Sequence, residues 1–191
     1  DKRNMNFLTF SKGFKAGGFN TQSNIEERRK SFDQESVYNI EWGSKKVWNE
    51  QLVSSVTLFY MQRENVQVRT SYQDDPTDPS SYTFYTDNAT SGNSYGLELE
   101  LNYFFSSGVE IKSNLGLLKT KYDDYDLGET NLKGRSFPNA PEYTLNTLIR
   151  YQINDQFFAS TNIYLSDRFF YSNSHDKTHP QYERVALSVG Y

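Results

Sequence analysis

The stretch Tyr95-Gly96-Leu97-Glu98-Leu99-Glu100-Leu101-Asn102-Tyr103 decides the fold. Its odd positions are all apolar or aromatic and its even positions are Gly, Glu, Glu and Asn, so an extended chain here has one greasy face and one charged face. The same period of two recurs in residues 38–43, 109–117 and 143–151, and in 157–168 and 184–191. Residues 52–68 read as one long strand with Leu52, Val56, Leu58 and Tyr60 on its apolar side, although Phe59 and Met61 blur the two faces. Residues 6–14 make a further strand, but Phe stands on both faces and the pattern does not assign them. Eight strands result.

The connections between these strands alternate in length. Residues 48–50, 106–108 and 154–156 read as tight turns, whereas the links near residues 16–35, 69–91, 123–141 and 170–182 are long and polar. All five prolines (Pro76, Pro79, Pro138, Pro141, Pro180) fall in the long links, which leaves every strand free of the residue that cannot donate to a ladder. No sustained helical period and no shift of composition interrupts the chain. It reads as one all-β unit over residues 1–191, an antiparallel up-and-down arrangement of hairpins.

Composition narrows the class. Hydrophobic residues make up 36% of the chain, little for a soluble domain, yet 15 Tyr and 14 Phe are far too many for a disordered one. The longest apolar run, Leu58–Met61, is much shorter than the roughly 20 residues of a spanning helix. A net charge of −4 without a basic stripe argues against nucleic acid as a partner. The absence of Cys excludes a disulfide framework, a Cys-based zinc site and thiol chemistry. After Asp1-Lys2-Arg3 no apolar leader core follows, so the chain reads as an excised segment.

Alternation alone does not choose a solvent. A soluble sandwich would bury the leucines and wet the glutamates, whereas a transmembrane β-barrel would turn the leucines toward lipid and the glutamates toward a wet lumen. Short turns on one side, long loops on the other and aromatic pairs such as Tyr95/Tyr103 and Tyr143/Tyr151 at strand ends favour the barrel. Lipid-facing positions are then Leu97, Leu99, Leu101, Ile111 and Leu115, and lumen-facing ones Glu98, Glu100, Lys112 and Asn114.

Several blocks carry a resemblance. Residues 11–20 (Ser-Lys-Gly-Phe-Lys-Ala-Gly-Gly-Phe-Asn), then Glu35 and Ile40-Glu41-Trp42-Gly43-Ser44-Lys45, resemble the C-terminal half of the barrel in TonB-dependent outer-membrane receptors, with Ile40 where that pattern has Tyr. Phe59-Tyr60 with Val66-Gln67-Val68, Asn88-Ala89 with Gly96-Leu97-Glu98-Leu99-Glu100, and residues 134–144 (Gly-Arg-Ser-Phe-Pro-Asn-Ala-Pro-Glu-Tyr-Thr) continue in family order, while residues 145–191 agree only in strand pattern. The resemblance implies a transmembrane barrel segment of about eight strands, roughly a third of a 22-stranded plugged barrel, without the plug domain, the TonB-box segment or the closing strands. It implies for the parent the import of ferric siderophores or similar bulky nutrients across the bacterial outer membrane, with outer-membrane lipid, the chelate, a plug domain and TonB as partners. A complete eight-stranded barrel with an anchoring or adhesion role and a soluble β-sandwich binding module stay open as alternatives.

For the chemistry of a site, aromatic faces and a guanidinium suit a large, partly anionic chelate. The candidates are Arg168, Phe169, Phe170 and Tyr171 at the rim, with Tyr72, Tyr82 and Tyr85 in the second long link. His175 and His179 share no helical face and read as a solvated loop, not a metal site. Asp123-Asp124-Tyr125-Asp126-Leu127-Gly128-Glu129 fails as a calcium loop because counting from Asp124 puts Gly128 at the fifth position and Arg135 at the twelfth. Asn88-Ala89-Thr90 matches a glycosylation acceptor but reads as part of a strand boundary. No nucleophile elbow or phosphate-cradling loop is present, and Glu98/Glu100 reads as wet wall, so neither an enzyme nor a cofactor is expected.

Overall fold

The computed structural model describes residues 3–127 and 130–191. Eight long strands, β1 (Asn4–Lys15), β2 (Glu35–Val47), β3 (Leu52–Gln73), β4 (Tyr82–Phe104), β5 (Val109–Asp124), β6 (Tyr143–Gln152), β7 (Phe158–Ser166) and β8 (Tyr182–Gly190), form one antiparallel sheet. Each pairs with its neighbours in sequence, and β1 and β8 are the two edges, not paired with each other. The other extended pieces among the described residues are three two-residue ribbons in the long links, so no second sheet covers the first. A sandwich needs that second layer, and a closed eight-stranded barrel needs the β1–β8 pair.

Register fixes which residues share a face, because residues directly opposite across a ladder point the same way. One row runs Leu8, Trp42, Leu58, Leu97, Leu117 and Tyr143, and the next Val56, Leu99, Leu115, Leu145 and Leu165. Ile40, Trp42, Leu58, Leu99, Leu101 and Leu117, on adjoining strands of this face, are 38–44% exposed, a contiguous apolar patch of a kind rarely presented to water. The opposite face carries Lys45, Ser55, Glu100, Asn114, Asn146, Tyr164 and Arg184 in one row and Asn102 and Lys112 in the row beside it. Ser113 and Thr147 hydroxyls pair at 2.9 Å, one of few polar contacts on the apolar side.

The first strand, which the sequence left unassigned, takes its facing from a glycine. Leu8 and Phe10 stand on the apolar face opposite Trp42 and Ile40, while Phe7 stands on the polar face opposite Gly43. A Cβ at Gly43 would lie 2.2 Å from the Phe7 ring, so Gly is required for the ring to lie flat on the sheet.

Above this slab the sheet reverses its polarity. Asn65 has φ 51° in the middle of β3, and the pairing of β4 with β5 shifts register between Ser91 and Gly92, where Asp123 is the extra residue on β5. Arg63 and Gly92 lie against Phe137 on the polar side, yet two or three residues further on Val66 and Ala89 occupy that same side. The buried positions therefore change from odd to even along β3 and from even to odd along β4. Val66, Val68, Ala89, Tyr122, Tyr125, Leu132 and Phe137 form a compact apolar cluster, with Ala89 fully buried. Below the reversal apolar residues face out; above it they face in, as in a protein surrounded by water.

The second link differs most from expectation. Residues 69–73 and 82–91 continue β3 and β4, so the loop shrinks to residues 74–81. The reversal at Asn65 breaks the period-two count and made the sequence beyond it read as irregular. Elsewhere the strand limits agree within a few residues, and Asn88-Ala89-Thr90 lies within β4. Gly128 and Glu129 of the acidic loop, and Asp1 and Lys2 at the start, lie outside the described residues. The rest of the acidic loop is tied down locally, Asp123 by Ser91 and Asn93 and Asp124 by Asn131.

Candidate functional site

The long links fold together over the apolar cluster. Residues 16–34 cross to the far ends of β3 and β4: the Asn20 amide donates to the Thr86 carbonyl at 2.7 Å, the Asn24 amide to Thr83 Oγ1 at 2.7 Å, and the Tyr72 hydroxyl to the Asn24 carbonyl at 2.7 Å. Ile25 is buried beneath this crossing, and a single 3₁₀ turn, Glu27–Arg29, presents Arg29 to the Tyr85 ring at 4.9 Å while also donating to its hydroxyl. Lower down, the Glu35 carboxylate is 6% exposed, accepts from Arg63 Nε at 2.7 Å and takes the Gln67 N–H at 2.8 Å, which satisfies an otherwise costly buried charge. Burial raises the Tyr125 hydroxyl well above its usual range, so it stays protonated.

Three open cavities surround these loops. The outermost, of about 1090 Å³, is lined by Arg29, Tyr72, Tyr82, Tyr85, His175 and Lys177. A second, of about 710 Å³, lies toward the polar wall and is lined by Met61, Arg63, Thr120, Tyr122, Phe137 and Asn173. A third, of about 580 Å³, lies between Glu142, Arg168, Phe169, Phe170 and Asp176. The outer cavity sets Arg29 and Lys177 beside Tyr72, Tyr82 and Tyr85, and the second likewise sets Arg63 and Arg69 beside Phe84, Tyr122 and Phe137. Glu26 on its rim is held below the usual carboxylate range by the Arg28 hydrogen bond, with the charges of Arg28 and Arg29 adding to it, so it stays ionised.

The two groups of site residues read from the sequence separate. Tyr72, Tyr82 and Tyr85 line the outer cavity together, Tyr82 exposed and Tyr85 buried as its floor under Arg29. Phe169 and Phe170 pair with His179 and Thr178 in a two-residue ribbon; Phe169 stacks on the His179 ring at 5.0 Å, and Phe170 lies under Arg135. With Arg168 they line the third cavity, while Tyr171 reaches the second. Glu98, Glu100, Lys112 and Asn114 share the polar face below and line none of these three cavities. Arg29, His175 and Lys177 were not singled out as ligand-binding; the charge run 26–30 was the local signal for Arg29. Each His ring is engaged within its own loop, His175 Nδ1 by the Lys177 N–H at 3.2 Å and His179 against Phe169.

Comparison with known proteins agrees with this architecture. Residues 4–191 match the family described as TonB dependent receptor-like, beta-barrel. Among solved structures, the ferric yersiniabactin uptake receptor FyuA from Yersinia pestis superposes with a TM-score of 0.77 at 16% identity, over 100% of this chain and 28% of that one. The siderophore receptor PiuA from Acinetobacter baumannii gives 0.72 at 17% identity, over 99% and 27%, and the copper transporter OprC gives 0.70 at 10%, over 96% and 28%. At such identities the likeness is one of fold, and the chain spans about a quarter to a third of the length of these structures. One open antiparallel sheet with an apolar outer face, matched to the family over nearly its whole length, means that the chain belongs to the β-barrel family of TonB-dependent receptors.

Proposed function

We propose that this chain supplies wall and extracellular loops to a TonB-dependent receptor of the bacterial outer membrane, and that the parent imports a ferric siderophore or a similarly bulky chelate. The apolar face meets lipid, and Glu98, Glu100, Lys112 and Asn114 face the lumen, where a plug domain packs; TonB acts through other parts of the parent. Strand geometry supports the membrane placement. The midpoint of Tyr95/Tyr103 on β4 is Leu99, and that of Tyr143/Tyr151 on β6 is Thr147, which lies in the row of Leu101. The midpoint thus moves two residues over two strands, about 3.4 Å along for each 4.8 Å across, and level aromatic girdles then require a tilt of about 35°, within the range of spanning barrels.

The outer cavity carries the ligand part of the proposal. Tyr72 and Tyr82 offer flat aromatic surface, and Arg29 and Lys177 offer positive charge, to a ligand that is both bulky and partly anionic. The cavity volume lies at the upper end of small-molecule sites, in keeping with such a ligand. The test is uptake of radiolabelled ferric chelates by cells making the intact parent under iron limitation, with binding measured separately on de-energised cells. Lys177→Glu and Tyr82→Ala are each expected to weaken binding of the transported chelate about tenfold, the effect of one charge-assisted or aromatic contact. Uptake of no ferric chelate, or binding indifferent to both substitutions, overturns the proposal.

A further inference from the structure

The segment Ser172–Ser174 lines both the outer cavity and the one below it. It is a partition between them, and its inner side is closely held. Asn173 is 3% exposed and donates from Nδ2 to the Tyr122 hydroxyl at 2.8 Å. Ser174 Oγ stands 3.2 Å from Thr70 Oγ1 and accepts the Ser71 N–H at 3.2 Å.

One side chain grips it from the other side. Arg135 Nη2 donates to the carbonyls of Ser172 at 2.9 Å and His175 at 2.6 Å, Nη1 donates to Asp176 Oδ1 at 2.9 Å, and the guanidinium lies 4.1 Å from the Phe170 ring centre. The Arg135 side chain is 10% exposed, so the guanidinium end of these bonds is sheltered, and of its partners the Ser172 carbonyl shares that shelter while Asp176 stands in water. Arg135 is itself fixed: its N–H reaches the Leu132 carbonyl at 3.0 Å and its carbonyl takes the Tyr122 N–H at 3.0 Å, within a turn that needs the positive φ of Gly134. A planar fork with five donors and a stacking face can hold two carbonyls, a carboxylate and a ring at once; an ammonium cannot.

We propose that Arg135 is the positioning residue that pins residues 172–176 as the partition between the two cavities and thereby sets where His175 and Lys177 stand in the outer one. The consequence for ligand rests on the proposed function above; the pinning does not.

The test uses the intact parent, in which Thr70→Cys and Ser174→Cys are combined, because the two hydroxyls already touch and the 191 residues contain no Cys. Disulfide formation under mild oxidation reports how long the segment dwells at its seat. Arg135→Ala is expected to slow it about tenfold and Arg135→Lys nearly as much, as the loss of charge-assisted bonds implies. In the reduced state Arg135→Ala should release bound ferric chelate about tenfold faster while urea stability of the barrel changes little, and the oxidised crosslink should restore slow release. Unchanged crosslinking in both Arg135 variants overturns the pinning, and in a receptor that binds the chelate a crosslink that forms without restoring retention overturns its consequence for the outer cavity. If crosslinking slows as expected while no ferric chelate binds even the unsubstituted receptor, the pinning stands and the siderophore reading fails. Should Arg135→Ala not give a heat-modifiable folded barrel, Arg135→Lys carries the same comparison.

Discussion

Leu99 is the position at which the lipid-facing face can be measured most sharply. It lies four residues from Tyr95 and four from Tyr103, about 14 Å along the strand from either, and so about 11 Å from each girdle along the membrane normal at the tilt given above. Its neighbours across the ladders are Val56 and Leu115, which offer a guanidinium no partner. Leu99→Arg therefore places a charge at the bilayer midplane, at a cost of about 2–4 kcal/mol. Glu100 is the adjacent residue but faces the other way, between Ser55 and Asn114, where an Arg stays wet and costs about 0.5 kcal/mol or less. The difference, about 1.5 kcal/mol at least, is tenfold or more in the folded-to-unfolded ratio at a fixed urea concentration. The assay is urea titration of the intact parent in lipid vesicles, with heat-modifiable migration as the measure of folding. Leu101→Arg, two residues from Tyr103, should fall between the two. Equal costs at Leu99 and Glu100 would refute the assignment of faces.

Other perturbations probe the region above the membrane. Phe137→Ala removes the ring that caps Gly92 and packs 4.5 Å from Tyr122, and should destabilise the loop cluster by about 3–5 kcal/mol, read as faster amide exchange at Tyr122 and Leu132. Glu35→Ala leaves the Gln67 N–H and Arg63 without their acceptor and should cost about 2–3 kcal/mol, at the low side for a buried pair because Arg63 is part-exposed; Glu35→Gln, which keeps an acceptor, should cost less in the same exchange measurement. Asp75 and Asp78 accept from Thr77 and Ser80 in the tip of the β3–β4 loop, which lowers both below their ordinary 3.8. Lowered carboxylates stabilise the fold above their unfolded value and cease to do so as the pH falls through the folded one. Proteolysis of residues 74–81 by an acid-active protease should thus accelerate only below pH 3.8.

What could be read from the sequence was what depends on local alternation. The strand around Leu99 is legible because each face is chemically uniform for nine residues, and those around Leu115 and Leu145 stay legible although Ser113 and Thr147 interrupt the apolar face and Leu148 the polar one. β1 was not legible: Phe7 belongs on the polar face only because Gly43, far along the chain, leaves room for its ring. The outer parts of β3 and β4 were missed because Asn65 and the Ser91/Gly92 irregularity reverse the faces, so that a period-two count cancels across them. At the site, the tyrosines stood out by type, whereas Arg29 and Lys177 acquire their place only when two loops some 150 residues apart fold over the same strands. Arg135 was hidden for the same reason, since its partners lie in residues 170–176.

The reversal at Asn65 is where the account is most exposed, because it sets the upper limit of the apolar outer face and the base of the long loops in one stroke. Single Cys substitutions along β3 from Leu58 to Thr70 in the intact parent, spin-labelled in lipid vesicles, measure it through accessibility to oxygen and to a water-soluble relaxation agent. Labels at Leu58 and Tyr60 should be reached by oxygen, and those at Phe59 and Met61 should not. Beyond Asn65 oxygen preference should vanish, and protection from both agents should fall on the even positions Val66, Val68 and Thr70. An alternation that runs through Asn65 without changing phase, or lipid contact that persists at residues 66–70, would contradict it.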